Sequence, residues 1–549
     1  MGTDITVIRG WVNCQSYKYR LVLCLLLIND VTVAADWKLT PSLTVSEIYS
    51  DNIGLAPSDE QSSDFVTLIQ PGLSANLDGN RLDVNLNYDM QNIFYARNSG
   101  SNATNHQLDL GTTAELFKDR LFLDIDGAIK QQIIDANESF DSDNISTTDN
   151  NTDVITFGIS PYFRSDFNGY AETEIRYSYD VVHFSGNSGN SGNGSGTQQR
   201  SNSASDSQQQ RLDVNLTDGR RAGKITWSVD YSKSRLKRDD SGDSNGSNTE
   251  TGDSERENLD ARINYQLSEE WQVSARAGYE NNDLASRRDG NSQDNENGGF
   301  WSVGGIWTPN RFLELDALYG PSENEIKVTW TPTSRTSVIV SRRDRDVGVD
   351  SGVIYQGSLA HRTKYTRWSA EYVEETTSTQ ELVVTDNRAD DEEFSDENGQ
   401  VALPDEVFDL TDEEFFRKRF NLGFAYMRGR SQISVNSFVE DREFNDPSED
   451  ERSTGANVSW EWQFGAKTGS VMDLRWVRNE SSGNATLNNG SQIDDSGDDT
   501  LVSLSIGLAH TLSQRLNAGA TYSFTKRDSN VSEQDYRENR VTLQLRMEF

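Results

Sequence analysis

Cysteine is almost missing from this sequence: there are two, Cys14 and Cys24, and neither lies beyond residue 35. A mature chain without cysteine builds neither a disulfide framework nor a thiolate metal site. Histidine is nearly as rare, and His106, His183, His361 and His510 stand too far apart for any metal-ligand spacing. Serine is abundant, yet nothing marks one of these histidines as the base of a hydrolase. Proline numbers nine, only 34% of the residues are hydrophobic, and mean hydropathy is −0.72. A soluble core of this size would draw on more Leu, Ile and Val. Cations are also short, and a net charge of −37 argues against a nucleic-acid partner. There is no phosphate-cradling Gly loop. The longest apolar run, Leu21 to Ile28, is too short to cross a bilayer as a helix.

Aromatic residues are plentiful, with 11 Trp, 19 Tyr and 22 Phe, which sets the chain apart from disordered acidic proteins. Lys18 to Arg20, the apolar stretch that follows and Val33-Ala34-Ala35 read as a secretory signal. The expected division is therefore a signal peptide over residues 1–35 and one domain over 36–549.

Within that domain side chains alternate. Leu82, Val84, Leu86, Tyr88 and Met90 interleave with Asp83, Asn85, Asn87 and Asp89. Ile225, Trp227, Val229 and Tyr231 do the same with Thr226, Ser228 and Asp230. Period two puts one apolar and one wet face on each strand. No convincing amphipathic helix interrupts the pattern. Short turns such as Asp78-Gly79-Asn80, Thr308-Pro309-Asn310, Thr331-Pro332-Thr333 and Arg428-Gly429-Arg430 take turns with long polar stretches. The long ones are Gln132 to Asn151, Ser185 to Gln210, Ser234 to Glu255, Asn281 to Gly299, Thr376 to Glu414 and Asn479 to Asp499. The fold class is all-β: an antiparallel transmembrane barrel of the outer-membrane kind, with roughly 24 strands in a range of about 22 to 26. Its short turns and both termini face the periplasm, and its long loops face outward. Trp37, Tyr49, Phe65, Phe94, Trp271, Trp307, Trp330, Trp368 and Trp476 fall near segment ends, as interface girdles do. The last stretch carries Val541, Leu543, Leu545, Met547 and the terminal Phe549 on one face, which reads as the closing strand and assembly signal.

The mature N-terminus runs Asp36-Trp37-Lys38-Leu39-Thr40-Pro41-Ser42-Leu43, then Glu47-Ile48-Tyr49-Ser50-Asp51-Asn52, Ser63-Asp64-Phe65 and Pro71-Gly72-Leu73, with Tyr88 and Phe94-Tyr95 beyond. It resembles the outer-membrane proteins associated with the PEP-CTERM/exosortase system. The resemblance implies a setting in exopolysaccharide or surface-polymer export, and it carries over no functional residue. From the residues alone, Tyr49 to Asn52 is an interface aromatic followed by a turn.

The lumen is where function is expected. Asp83, Asp89, Asp109, Glu115, Asp124, Asp126, Glu172 and Glu174 point inward on the early strands with few basic partners. Arg342, Arg343, Arg345, Arg362, Arg367, Arg417, Lys418 and Arg419 crowd later strands, so an acidic wall is expected to face a basic one. Asp124 and Asp126 match a glycosidase pair only by residue type and read as solvated lumen groups. Asp141 to Asp153 and Asp239 to Glu250 have the composition of Ca²⁺ loops without the EF-hand spacing, so solvated loops and no cofactor are expected, with adventitious Ca²⁺ as the alternative. A barrel this wide with no plug domain needs filling. The loop Thr376 to Glu414 is expected to fold over or into the lumen and gate it, against the alternative of an acidic tail projecting outward, with Asp390, Asp391, Glu392, Glu393, Phe408 and Asp412 among its acidic and apolar residues. The function expected is a non-enzymatic channel or export component, against a general diffusion porin or a loop-bearing scaffold. Its expected partners are outer-membrane lipid and lipopolysaccharide, the barrel insertion machinery and a surface polysaccharide.

Overall fold

The computed structural model describes residues 37–134, 144–148, 150–185, 205–238, 253–284, 297–386, 410–445, 449–482, 484–486, 492–494, 497–530 and 534–549. The expected signal segment, the stretch 239–250 and the residues Asp390, Asp391, Glu392, Glu393 and Phe408 lie outside them.

Twenty-four strands form one antiparallel sheet in which each pairs with the next. The first, Trp37–Ser50, pairs with the second, Asp64–Asp78, and also with the last, Tyr536–Glu548, so the sheet closes. Closure leaves no strand edge to face lipid, where an unpaired backbone group finds no water. The chain is a 24-stranded transmembrane barrel of the outer-membrane type. No helix among the described residues is long and apolar enough to cross a membrane; the strands do the crossing.

Alternation sets the two faces. On the last strand Leu543 is 57% exposed, and Val541, Leu545 and Met547 are exposed beside it, whereas Tyr536, Glu538 and Arg540 on the opposite face are buried. Large apolar side chains left open around the outside of a closed barrel are its lipid face. Near the end that carries both termini, Trp37, Trp271, Trp307, Trp330 and Trp368 all stand exposed, and Trp271 stacks on Trp307 at 5.7 Å. Toward the other end Tyr49, Phe65, Phe94 and Trp476 do likewise, with Tyr49 against Phe65 at 4.9 Å. These are two girdles.

Several boundaries differ from the sequence reading. Thr308-Pro309-Asn310 and Thr331-Pro332-Thr333 belong to strand ends rather than turns, each at a register shift that accommodates the proline. Five connections at the long-loop end are short: residues 96–102, 320–322, 346–351, 444–450 and 530–535. Strands also run into stretches read as loops, as in Ile225–Arg238 and Gly298–Asn310. A small hairpin pairs Asn484–Thr486 with Gln492–Asp494. Most consequential is a helix, Thr379–Asp386, where none was expected. Its eight residues are too few for a periodic signal to stand out.

Candidate functional site: the lumen

Opposed residues in an antiparallel pair share a face, so the register maps the inner wall. Asp83 faces Thr113, which faces Asp124; Asn87 faces Asp109; Asp126 faces Gly158, which faces Asp180. All of the early acidic residues thus line the lumen as the alternation implied, Glu172 and Glu174 among them. Gly72 makes room for one of them: a Cβ there would lie 2.4 Å from Asp89 Oδ1. The early wall is less short of cations than expected. Arg176 pairs with Asp124 at 2.6 Å and with Glu174 at 3.5 Å, Arg164 pairs with Glu174 at 2.7 Å, and Arg81 lies 3.6 Å from Glu115. Both Arg164 and Arg176 also sit over the Tyr162 ring.

The expected basic wall does not exist as such. Arg345 pairs with Glu323 at 2.5 Å and with Glu280, while Arg276 meets Asp260, Glu323 and Glu325 at 2.6, 3.2 and 2.5 Å. Arg343 lies 4.0 Å from Asp350. Glu440 accepts from Arg417, Arg419 and Arg442, each at 2.9 Å. Arg367 is exposed and faces Arg362 across the strand pair. Arg342 and Lys418 fall on the other side of the wall, paired with Asp344 and Glu443. The physical reason is register. Glu325 stands opposite Arg343, Glu323 opposite Arg345 and Glu440 opposite Arg419, and pairing across strands cannot be seen along one strand. Two glycines shape the networks. Phe300 lies over Gly278 and Phe438 over Gly455, so each ring fills the place of a missing Cβ, and Arg345 stacks on Phe300 at 3.7 Å.

The mouth at the long-loop end is narrowed from within. The helix Thr379–Asp386 turns inward and seats Val383 and Val384 on Val154, Val182 and Phe184. Those wall residues belong to strands Asn151–Asp166 and Ala171–Phe184, far around the ring from the strand Thr366–Ser378 that feeds the helix. Polar contacts hold the segment at both feet. Arg256 donates to Glu381 and to the Thr376 carbonyl at 3.3 Å and lies 3.4 Å from Glu414. Asp412 accepts from Ser205 N at 2.7 Å, Ser205 Oγ at 2.5 Å and Gln380 Nε2 at 2.7 Å. Leu410 N reaches the Ile134 carbonyl at 3.1 Å. Of the expected gating loop, Thr379 to Asp386 and Leu410 to Glu413 therefore fold into the lumen, whereas Thr376 to Ser378 and Glu414 belong to strands of the wall, and Asp412 is the anchor among its singled-out residues.

The histidines are dispersed as read: His106 bonds to Tyr88, His183 to Asp206, His361 to Thr336 and His510 to Thr468. Among the described residues no group of three or more His, Cys, Asp or Glu is placed to hold a metal ion.

A family model described as "Putative beta-barrel porin 2" matches residues 475–549, the last strands of the barrel. No curated protein matches the chain. Among solved structures, the siderophore receptor PirA from Acinetobacter baumannii is similar at 11% identity and TM-score 0.44, over 93% of this chain and 80% of that one. The ferric-catecholate import receptor Fiu from E. coli K12 is similar at 10% identity and TM-score 0.44, over 93% and 82%. A loop-deletion mutant of the outer-membrane protein OmpT of Vibrio cholerae is similar at 10% identity and TM-score 0.28, over 94% and 100%.

Proposed function

We propose that the chain is a gated, non-enzymatic outer-membrane channel for hydrated polar solutes, closed in the state described. In this reading the long loops face outward, both termini are periplasmic, and the helix Thr379–Asp386 is the movable part. The observation that carries it is the seat of Val383 and Val384 on the inner wall at Val154 and Val182. Burying those side chains favours the docked state by ~1.5–3 kcal/mol each when complete, a range a solute or a neighbouring loop can outweigh. The wet, charged inner wall suits a polar cargo, since its carboxylates and guanidiniums replace lost water contacts.

The test is a reversible lock. In a chain with Cys14→Ser and Cys24→Ser, Val182→Cys and Val384→Cys should form a disulfide that holds single-channel conductance in planar bilayers low. Reduction should release it, and deletion of Gln380 to Asp412 should raise conductance without any lock. Equal conductance in the locked, reduced and deleted barrels would dismiss the gate. Export of an exopolysaccharide or other surface polymer is the narrower reading. The resemblance of the N-terminal residues supports it, and its test is polymer secretion in a clean deletion strain complemented with the full-length gene.

A further inference from the structure

Every neighbouring pair of strands but one is joined by chain; the exception is the seam between Trp37–Ser50 and Tyr536–Glu548. Hairpin register is set by the turn, and a slip of one residue turns a whole strand inside out. At the seam something else must fix it. We propose that Ser50, Asp51 and Asn52 form a clasp on Arg537 to Arg540 that sets the seam register and completes barrel closure.

The grip is continuous. Ser50 Oγ donates to Glu538 Oε1 at 2.5 Å. Asp51 N donates to the Asn539 carbonyl at 3.2 Å, and the Asp51 carboxylate accepts from Asn539 N at 2.7 Å and Asn539 Nδ2 at 2.8 Å. Asn52 Nδ2 donates to the Arg537 carbonyl at 3.1 Å. Tyr522 donates to Asn539 Oδ1 at 2.8 Å, which orients that amide with its nitrogen toward Asp51. Ser50 and Asn52 are fully buried, so water offers these groups no substitute.

The first loop braces the clasp. Asn52 also donates to the Ala56 carbonyl at 2.7 Å and accepts from Ala56 N at 3.1 Å. Leu55 takes a left-handed φ of 49° and packs with Leu501 and Tyr536, the latter on the last strand itself. Ile53 joins Ile48, Val66, Leu68, Ile93, Tyr95 and Ile145 in an apolar cluster. The other foot is fixed by Asp64, which accepts from the backbone N–H of Phe65, Arg97 and Asn98 at 2.8–3.0 Å. The opposite end of the seam is plainer. Register with the last strand begins at Ser42, and beyond it Phe549 N reaches the Pro41 carbonyl at 3.0 Å. Specific side-chain recognition is thus concentrated at Ser50 to Asn52, which gives that motif an assembly role independent of any cargo.

The experiment reads register directly. In the full chain with Cys14→Ser and Cys24→Ser, Ser46→Cys with Gln544→Cys reports the observed register, in which those residues face each other. Ser46→Cys with Thr542→Cys reports a slip of two residues. Asn539→Asp sets a second carboxylate against Asp51. It should lower the in-register cross-link several-fold, raise the slipped one and slow the appearance of heat-modifiable barrel. Asp51→Asn combined with Asn539→Asp restores one amide and one carboxylate and should recover both. In-register cross-linking and assembly at the parent rate in Asn539→Asp would overturn the clasp. Should that single variant yield no barrel, recovery in the double variant sustains the proposal and failure to recover overturns it.

Discussion

The inner face of the strands from Leu82 to Ile133 and that of the strands from Trp271 to Glu443 hold carboxylates in opposite ways. On the early wall Asp83 and Asp109 stay exposed to the lumen among Asn85, Asn87 and Thr113, Lys130 is the one inward cation of those three strands, and the pairs made there by Asp124 and Glu115 use Arg176 and Arg81 from outside them. On the late wall Glu323 and Glu440 are wholly buried, and each is met by two or three guanidiniums. A carboxylate that keeps its water needs no counterion, whereas one taken out of water is tolerated only when paired and hydrogen-bonded. The first wall is open to water, and the second is part of the frame.

The largest effect should come from breaking the frame. Glu440→Gln leaves Arg417, Arg419 and Arg442 crowded without their common carboxylate. Removing one partner from such a buried cluster costs about 3–5 kcal/mol. Asp83→Asn on the early wall should change stability by no more than ~0.5 kcal/mol. Urea or heat midpoints of the folded barrel measure both, and equal losses would erase the distinction between the walls.

A somewhat smaller effect tests the early wall from its two sides. Leu86 faces lipid and its neighbour Asn85 faces the lumen, exposed to water. Leu86→Arg should lower folded yield, by the ~2–4 kcal/mol that a charge costs on a barrel's outer face near the midplane. Asn85→Arg should fold normally. Like behaviour of the two would shift the assignment of faces by one residue.

How far the sequence speaks follows the same division. Alternation of Leu82 with Asp83, and of Leu543 with Gln544, is a property of single strands, so the barrel, its closure and its lipid face were readable without coordinates. The pairing of Glu440 with three arginines depends on the register of neighbouring strands and was not. The inward helix was hidden for another reason: Val383 and Val384 look like any pair in a polar loop until Val154 and Val182 come round the barrel to meet them. Asp51 and Asn52 were visible as a motif, but their partner Asn539 lies nearly the whole chain away.

The smallest structural effect carries the most functional information. With Gln380 to Asp412 deleted to open the mouth, the early wall should decide which ions pass. Its carboxylates at Asp83, Asp89 and Asp109 raise the local concentration of cations, so the open barrel should prefer K⁺ to Cl⁻. Replacing all three by Asn removes that charge while leaving the buried networks untouched, so unfolding midpoints should stay put as the preference falls. Reversal potentials across a salt gradient read the change. It should be greatest in dilute salt and fade toward ~1 M, where charges are screened within about 3 Å. Glu314→Gln, on the later strand Leu313–Tyr319, removes a single charge from outside the early wall and serves as the control. Were it to shift selectivity as much per charge as the early substitutions do, ion choice would belong to the barrel's total charge rather than to one wall.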